Sequence, residues 1–394
     1  MTVHKSEQQS IPFWRDERIL QFLSQGIALI LVFAVVIILY NNMSNSLEEL
    51  GVPLSLNFLK STSSFDIGES LIEYSRSSTY LRAYLVGVVN TIQVAILGIT
   101  FATILGVIVG VARLSKNLLV SKIAVVYIEI LRNIPLLVLL IIWYTGVFLK
   151  FPGVKDALTY GPIVFSNRGI SLPWGIPTST FTTFRWILIF GLMVAGVVAY
   201  VLTQHGKRTG RMPLVSFWSL ITFLGFLLIG WFLLPEVPLV FDFPSLPETG
   251  FNIEGGRTFS SEFMALLSGL VIYTSAFIGE VVRSGIQSVS KGQVEAARAL
   301  GLKGFQTLQF IVFPQAMRVI IPPITSQYLS LTKNSSLAIA IGYPDMVHVY
   351  GTIINQSGRA VEMTAIMMAT YMTFSLLISA IMNWYNKRIK LVER

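Results

Sequence analysis

The sequence predicts an all-α membrane protein with about eight transmembrane helices. Of its 394 residues, 53% are hydrophobic and only 12% are charged, whereas ordinary soluble domains are about 25% charged. The mean hydropathy is +0.68, and the apolar residues fall into runs near the roughly 20 residues that cross a hydrocarbon core. We therefore expect a polytopic protein embedded in a lipid bilayer.

The apolar runs define the elements in chain order. The first run, from Leu20 to Tyr40, is followed by no small-residue cleavage site in 41–49, so a retained helix is expected rather than a signal peptide. The candidate helices are 20–40, 85–112, 121–149, 186–203, 214–234, 262–282, 316–340 and 363–386. The seventh contains Pro322, Pro323 and Lys333, which allow a broken or re-entrant helix there.

The distribution of Lys and Arg sets the orientation of these helices. With the N-terminus inside, 18 Lys and Arg lie in inner segments and 9 in outer segments. Because cytoplasmic loops carry the basic excess, both termini are predicted to be cytoplasmic. The net charge of +9 lies in short clusters at the ends of apolar runs, which argues against a nucleic-acid partner.

The sequence offers no group of residues for bond chemistry. It has no Cys, and His4, His205 and His348 are scattered without metal-site spacing. It also lacks the nucleophile elbow G-x-S-x-G and the phosphate loop G-x-x-x-x-G-K-[ST]. We predict no catalytic residue, no metal site and no cofactor in this chain, so it is not expected to be an enzyme.

The most informative motif lies between the sixth and seventh candidate helices, in the loop 285–314. Glu-Ala-Ala is followed by three residues, a glycine, nine residues and Ile-x-x-Pro; the motif residues are Glu295, Ala296, Ala297, Gly301, Ile311 and Pro314. Small helix formers before a glycine predict a short helix that ends in a left-handed residue. A second, apolar segment should follow and be interrupted by Pro314. Such an element can present its polar edge to a soluble partner.

This spacing resembles the loop shared by the permeases of bacterial ABC importers, in which it forms coupling helices that dock on the ATPase subunit. The residue before the proline is usually Leu in that family and is Phe313 here. Segments 87–115, 129–144 and 331–346 are similar to the polar amino acid uptake branch of the family. Two departures are Asn133, where the family usually has Gly, and Asn334, where it commonly has Asp.

The resemblance implies a five-helix ABC importer permease core in residues 85–149 and 262–386. The chain then divides into 1–84 (N-terminal tail, an extra helix and an outer loop), 85–149 (first part of the core), 150–261 (an insertion with two extra helices) and 262–394 (second part of the core with loop 285–314). Insertions of this kind resemble the longer permeases for neutral and general L-amino acids. The implied function is translocation of neutral or broad-range L-amino acids across the bacterial inner membrane.

The resemblance also implies the partners. They are an ATP-binding subunit dimer that holds ATP and Mg, a second and different permease, and an extracytoplasmic amino-acid-binding protein. Alternating access would carry substrate through a site at the permease interface.

Polar residues within the spans are candidates for a translocation path or gate, because a charge at the bilayer centre costs about 2.5 to 3.5 kcal/mol. The candidates are Glu129, Arg132, Asn133, Lys333, Asn334 and Ser335. Glu129 and Arg132 are spaced to form an ion pair on one helix face, and Glu280 and Arg283 have the same spacing. For both pairs, a structural ion pair is the alternative to a transport role.

Three other functions remain open at this point. A transporter driven by an ion gradient should carry coupling carboxylates deep in its spans, whereas only Glu129 and Glu280 lie within them. A membrane anchor would not need the spaced loop. An ABC permease for a solute other than amino acids is compatible with that loop, since the loop faces the ATPase and not the substrate.

Overall fold

A computed structural model describes residues 17–49, 51, 54–210, 213–246 and 252–389. Long apolar helices form a bundle, and short β-strands cover one of its ends. The helices are α1 (Glu17–Glu49), α2 (Tyr80–Arg113), α3 (Leu118–Asn133), α4 (Leu136–Gly146), α5 (Phe181–Thr209), α6 (Val215–Phe232), α7 (Ser261–Gln287), α8 (Lys291–Ala299), α9 (Gly304–Thr307), α10 (Phe313–Asn334), α11 (Met346–Ser357) and α12 (Ala360–Ile389).

The predicted all-α membrane fold is confirmed. Seven helical stretches among the described residues are long and apolar enough to cross a membrane, and the bent pair α3–α4 brings the number to eight. The tails 1–16 and 390–394, which carry part of the basic charge used for orientation, lie outside the described residues.

Helices α2 and α7 pack closely and form the centre of the bundle. A Cβ on Gly106 would lie 2.6 Å from Ile278 Cγ2, and a Cβ on Gly110 would lie 2.6 Å from the Gly279 carbonyl oxygen. Both contacts are too short for any side chain, so the glycines fix the close approach of the two helices. Ala102 and Ile278 are fully buried in this seam.

The third predicted span is not a straight helix. Helices α3 and α4 meet at an angle of 106°, and Pro135 is the N-cap residue of α4. The residue before a proline disfavours helical conformation, which explains the end of α3 at Asn133 and the extended Ile134. The flanking side chains pack against Ile272 and Ala276, so the break lies at the level of the middle of α7.

The seventh span is continuous where the double proline allowed a break. Helix α10 runs through Pro322 and Pro323, because Ile320 and Ile324 are buried in one apolar cluster with residues of α2 and α7. The helix changes only at its far end, where Ser335–Ile341 forms a 3-10 helix.

The insertion contains β-structure that the helical prediction did not include. Strands β1 (Leu158–Tyr160), β2 (Ile163–Ser166), β3 (Gly169–Leu172) and β6 (Arg257–Ser260) form an antiparallel sheet in the order β1-β2-β3-β6, and β4 (Trp174–Pro177) pairs with β5 (Leu239–Asp242). A Cβ on Gly169, which has φ of +130°, would lie 1.9 Å from the Phe259 carbonyl oxygen, so only glycine fits beside β6. Ser261 Oγ donates to the Asn167 carbonyl at 2.9 Å and ties the sheet to α7.

Helices α5 and α6 form an antiparallel hairpin that packs mainly on itself. Gly191 accommodates the ring of Phe226, and Gly230 accommodates the ring of Phe184. Below, the end of the bundle that carries the strands is called the strand side. The end that carries residues 285–314 is called the loop side.

Candidate functional site

The spaced motif on the loop side forms the helix, glycine turn and helix that the sequence predicts. Helix α8 ends in two backbone hydrogen bonds: Gly301 N–H donates to the Arg298 carbonyl at 2.9 Å and Leu302 N–H to the Ala297 carbonyl at 3.1 Å. Gly301 has φ of +80°, and this pairing of bonds with a left-handed glycine is the Schellman motif. Helix α9 follows after Lys303, which is its N-cap residue.

One face of α8 is directed inward and the other is free. Ala297 is 2% exposed, whereas Glu295, Ala296 and Ala299 are exposed and Leu300 is 83% exposed. Glu295 and Ala299 lie one turn apart on the side opposite Ala297. The motif thus presents one carboxylate, small residues and an apolar tip on a surface that another molecule could contact closely.

Ile311 and Pro314 lie where this segment joins the bundle. Ile311 is in a π-helical turn, Leu308–Val312, whose last bond runs from Phe313 N–H to the Leu308 carbonyl. Pro314 occupies the first turn of α10, where its missing N–H costs nothing. The expectation that Pro314 interrupts the apolar segment is wrong. The π-helical turn shifts the hydrogen-bond register just before the proline, so the helix continues through it.

An ion network holds the loop-side ends of α2 and α7 together. Arg283 Nε donates to Glu280 Oε2 at 3.0 Å, so the predicted pair of these residues forms. The guanidinium of Arg113, the last residue of α2, pairs with the same carboxylate. The pair is thus part of a structure that connects two helices directly ahead of the spaced motif.

The second group of candidates lies at the break between α3 and α4. Glu129, Arg132 and Asn133 are exposed near the end of α3, and Asn133 Nδ2 donates to the Glu129 carbonyl at 2.6 Å. In the described part of the chain, Glu129 and Arg132 form no ion pair. The expected pair is wrong because Arg132 extends to α7, where its guanidinium carbon lies 5.5 Å from the centre of the Phe277 ring.

The break also leaves the start of α4 without a side-chain cap at membrane depth. The N–H groups of its first turn therefore face the break, where they favour negative charge. Helices interrupted near the bilayer midplane are a common construction for transport sites. Arg132 adds a cation and Glu129 a carboxylate on the other side of the break.

The third group, Lys333, Asn334 and Ser335, lies at the end of α10. Lys333 is exposed, Asn334 is partly buried, and the fully buried Ser335 donates its Oγ hydrogen to the Thr332 carbonyl at 2.8 Å. The neighbouring Leu331 packs against Gly98, near the middle of α2. The groups on α3 and on α10 thus lie at similar depth, on two helices that both pack against α7.

A buried polar cluster on the strand side was not predicted from the sequence. Asn90 Nδ2 donates at 2.9 Å to the carbonyls of Glu69 and Pro344, and Asp345 Oδ1 accepts from the His348 N–H at 2.9 Å as the N-cap of α11. Asp345 is fully buried, and its Oδ2 has no hydrogen-bond partner within the described residues. Burial raises the pKa of this carboxyl from 3.8 to about 7. Pro-Asp before a helix is a capping signal that could have identified it.

A cavity of about 300 Å³ opens beside this cluster on the strand side, lined among others by Glu69, Glu262 and His348. Glu69 accepts a hydrogen bond from Ser260 Oγ at 2.5 Å. Burial raises the pKa of Glu69, and this hydrogen bond opposes the rise.

Comparison with known proteins decides the family. The family model described as binding-protein-dependent transport system inner membrane component matches residues 207–391. A general L-amino acid transport system permease protein, AapQ of Rhizobium johnstonii, is 42% identical over 355 residues, which cover 90% of this chain and 88% of that protein. This chain belongs to the amino-acid permeases of ABC importers.

Two further relatives match over nearly their whole length. The putative amino-acid ABC transporter permease protein YhdX of Escherichia coli is 42% identical, with 95% of each chain covered. The glutamate/glutamine/aspartate/asparagine transport system permease protein BztB of Rhodobacter capsulatus is 38% identical, with 96% of each covered. As a member of this family the chain is a multi-pass inner-membrane protein that works with an ATPase and a substrate-binding protein.

Proposed function

We propose that this permease moves neutral or broad-range L-amino acids across the inner membrane, in a complex with an ATPase dimer, a second and different permease and an extracytoplasmic binding protein. The observation that carries the proposal is the helix, Schellman turn and helix of residues 291–307, with Glu295, Ala296 and Ala299 exposed. A rigid element with small exposed residues suits docking into a groove of a soluble partner. The amino-acid transport functions of AapQ and BztB support amino acids as the substrate class.

In this proposal the loop side and both termini are cytoplasmic, as the basic residues indicate. ATP and Mg bind the partner subunits, and this chain contributes no catalytic group and holds no cofactor. Closure of the ATPase dimer moves α8, and the continuous helical run from α9 through α10 transmits that motion into the bundle. During this motion, the ion network of Glu280, Arg283 and Arg113 keeps α2 and α7 together.

We further propose that the substrate passes the break between α3 and α4 and the end of α10. The first N–H groups of α4 and the guanidinium of Arg132 suit a carboxylate, and Glu129 suits an ammonium group. Lys333 and Asn334 lie at the same depth on α10, and the buried Ser335 supports them from behind through its bond to the Thr332 carbonyl. The loss of a charge at Asn334 relative to the common pattern of the family makes this wall less acidic.

The test is recovery of the partners from the native membrane. The tagged chain, extracted in mild detergent, should bring along an ATPase with a phosphate loop, a second permease and, when substrate is present, a binding protein, identified by mass spectrometry. Glu295→Lys and Gly301→Asp should leave a folded, inserted chain that no longer retains the ATPase or no longer transports amino acids. Gln293→Lys, which places the same side chain at another exposed position of α8, is the control.

Normal uptake of amino acids by both loop variants would refute the coupling role. Recovery of the chain without an ATPase would instead favour a transporter driven by an ion gradient. Uptake of another solute by the intact complex would keep the ABC assignment and remove amino acids as the substrate.

A further inference from the structure

A second cavity, of about 970 Å³, opens between α2, α7, α10 and α12 on the loop side. Its wall on α2 runs from Thr103 to the last turn of the helix, and ten helical residues rise about 15 Å. That depth equals one leaflet of a hydrocarbon core that is roughly 30 Å thick. The cavity therefore extends from the membrane surface to about the bilayer midplane.

The lining of this cavity is apolar, and three of its four hydroxyl groups are already engaged. Thr103 Oγ1 and Tyr328 Oη are hydrogen-bonded to each other at 2.8 Å, and Ser115 Oγ accepts from the Asn117 N–H at 3.1 Å. An amino acid always carries charged groups, and these would lose water here without gaining partners. The cavity is therefore unsuited to the transported substrate and suited to a hydrocarbon chain.

Cations follow the lining residues at the loop-side end of the cavity in the sequence. Lys116 follows the lining residue Ser115, and Lys387 and Arg388 follow the lining residue Tyr385. The guanidinium carbon of Arg388 lies 4.2 Å from the ring centre of Trp384, a contact typical of the membrane interface.

A further cation lies on α10 beside the lining residue Met317. The Nε of Arg318 is buried without a hydrogen-bond partner within the described part of the chain. Because Arg318 does not line the cavity and its Nε is buried, the exposed Lys116, Lys387 and Arg388 are the cations that suit an anionic group at the membrane surface.

We infer that this cavity binds an anionic phospholipid, with an acyl chain between α2 and α10 and the headgroup at the cations of the loop side. The acyl chain would contact Leu308, Val312 and Phe313, which form the joint between the spaced motif and α10. Bound lipid thus fills the space into which the side chains of this joint would otherwise move. It therefore couples α9 more tightly to the bundle. This last consequence rests on the proposed coupling role of the segment, whereas lipid binding itself does not.

The purified complex is tested for retained lipid by native mass spectrometry, after exchange into detergent with either phosphatidylglycerol or phosphatidylcholine. Val107→Trp fills the cavity from α2 and should lower retained phosphatidylglycerol about tenfold. Ile108→Trp, at a neighbouring exposed position outside the lining, should retain as much as the wild type. Lys116→Gln combined with Lys387→Gln should abolish the preference for phosphatidylglycerol over phosphatidylcholine.

Equal retention by wild type and Val107→Trp, or equal retention of the two lipids by the wild type, would overturn the inference. A photo-crosslinking amino acid at Met317 distinguishes the other occupant. A lipid adduct supports the inference, whereas a cross-link to another polypeptide shows that a partner helix fills the cavity. These readouts need no transport or ATPase activity, so they stand apart from the test of the proposed function.

Discussion

Asp345 is a buried carboxylate whose ionisation opposes folding. Its pKa is raised from 3.8 to about 7 by burial, and it lies between the seventh and eighth candidate spans, outside both. Between these two pH values the folded chain holds a proton that the unfolded chain releases, so stability falls as pH rises. The loss is at most about 4 kcal/mol and is complete above the folded pKa.

Asp345→Asn should remove this pH dependence. Asparagine still accepts the His348 N–H as an N-cap but carries no charge, so the variant should melt at a higher temperature than the wild type above pH 7. The two should converge only below about pH 4, where Asp345 is protonated in the folded and the unfolded chain alike. The measurement is thermal unfolding of the purified chain in detergent from about pH 3.5 to 8.5. Asp66→Asn, at an exposed carboxylate on the same side, is the control, and parallel curves for wild type and Asp345→Asn would contradict the argument.

The limit of sequence reasoning is visible at these same residues. The spacing from Glu295 to Pro314 predicted the helices and the glycine turn, because propensity and left-handed glycine act locally. The burial of Asp345 was not predicted, because it depends on α2, through Asn90 and the neighbouring Thr91, some 255 residues earlier in the chain. The Glu129–Arg132 pair failed for a similar reason, since Phe277 on another helix competes for the guanidinium.

At the scale of elements, the hairpin α5–α6 is an attachment to the core and not a part of it. Its buried residues are few and contact its own partner helix. The end of β4 and the start of β5 lie side by side, since Thr178 N–H donates to the Pro238 carbonyl at 3.1 Å. Strands β4 and β5 can therefore be joined directly.

Replacement of residues 180–236 by Asn-Gly should leave the core folded. This dipeptide closes two antiparallel strands with the twist that they need, and the seam of α2 and α7 is untouched. Fluorescence-detected size exclusion should give one symmetric peak, and the melting temperature should stay within a few degrees of the wild type. The control deletes α11, residues 346–357, whose Met346 and Ile353 are fully buried, and should aggregate. Aggregation of the hairpin deletion would mean that α5 and α6 support the core.

Hydropathy predicted the spans because lipid imposes the same two requirements on each of them, sufficient length and an apolar sequence. Hydropathy could not distinguish Pro135 from the pair Pro322–Pro323 as the site of a break, because packing against the neighbouring helices determines whether a proline breaks the helix. Buried isoleucines hold α10 together at its prolines. The strands were not predicted, because each has only three or four residues and β3 pairs with β6 about 90 residues later.

At the scale of the whole molecule, the orientation in the membrane follows from charge and can be tested directly. The chain has no Cys, so a single introduced thiol is labelled without background. Thr159 in β1 and Ser77 before α2 are exposed on the strand side, and Gln293 in α8 and Thr209 at the end of α5 are exposed on the loop side. With the basic loops in the cytoplasm, the strand side faces outward.

A membrane-impermeant maleimide added to intact cells should therefore label Thr159→Cys and Ser77→Cys strongly, and Gln293→Cys and Thr209→Cys only after the membrane is permeabilised. Gln293 and Thr209 belong to separate loops, so agreement between them excludes a local misplacement. Labelling of both loop-side cysteines in intact cells would invert the topology. It would also remove α8 from the compartment that contains ATP, and with it the coupling role of Glu295 and Gly301.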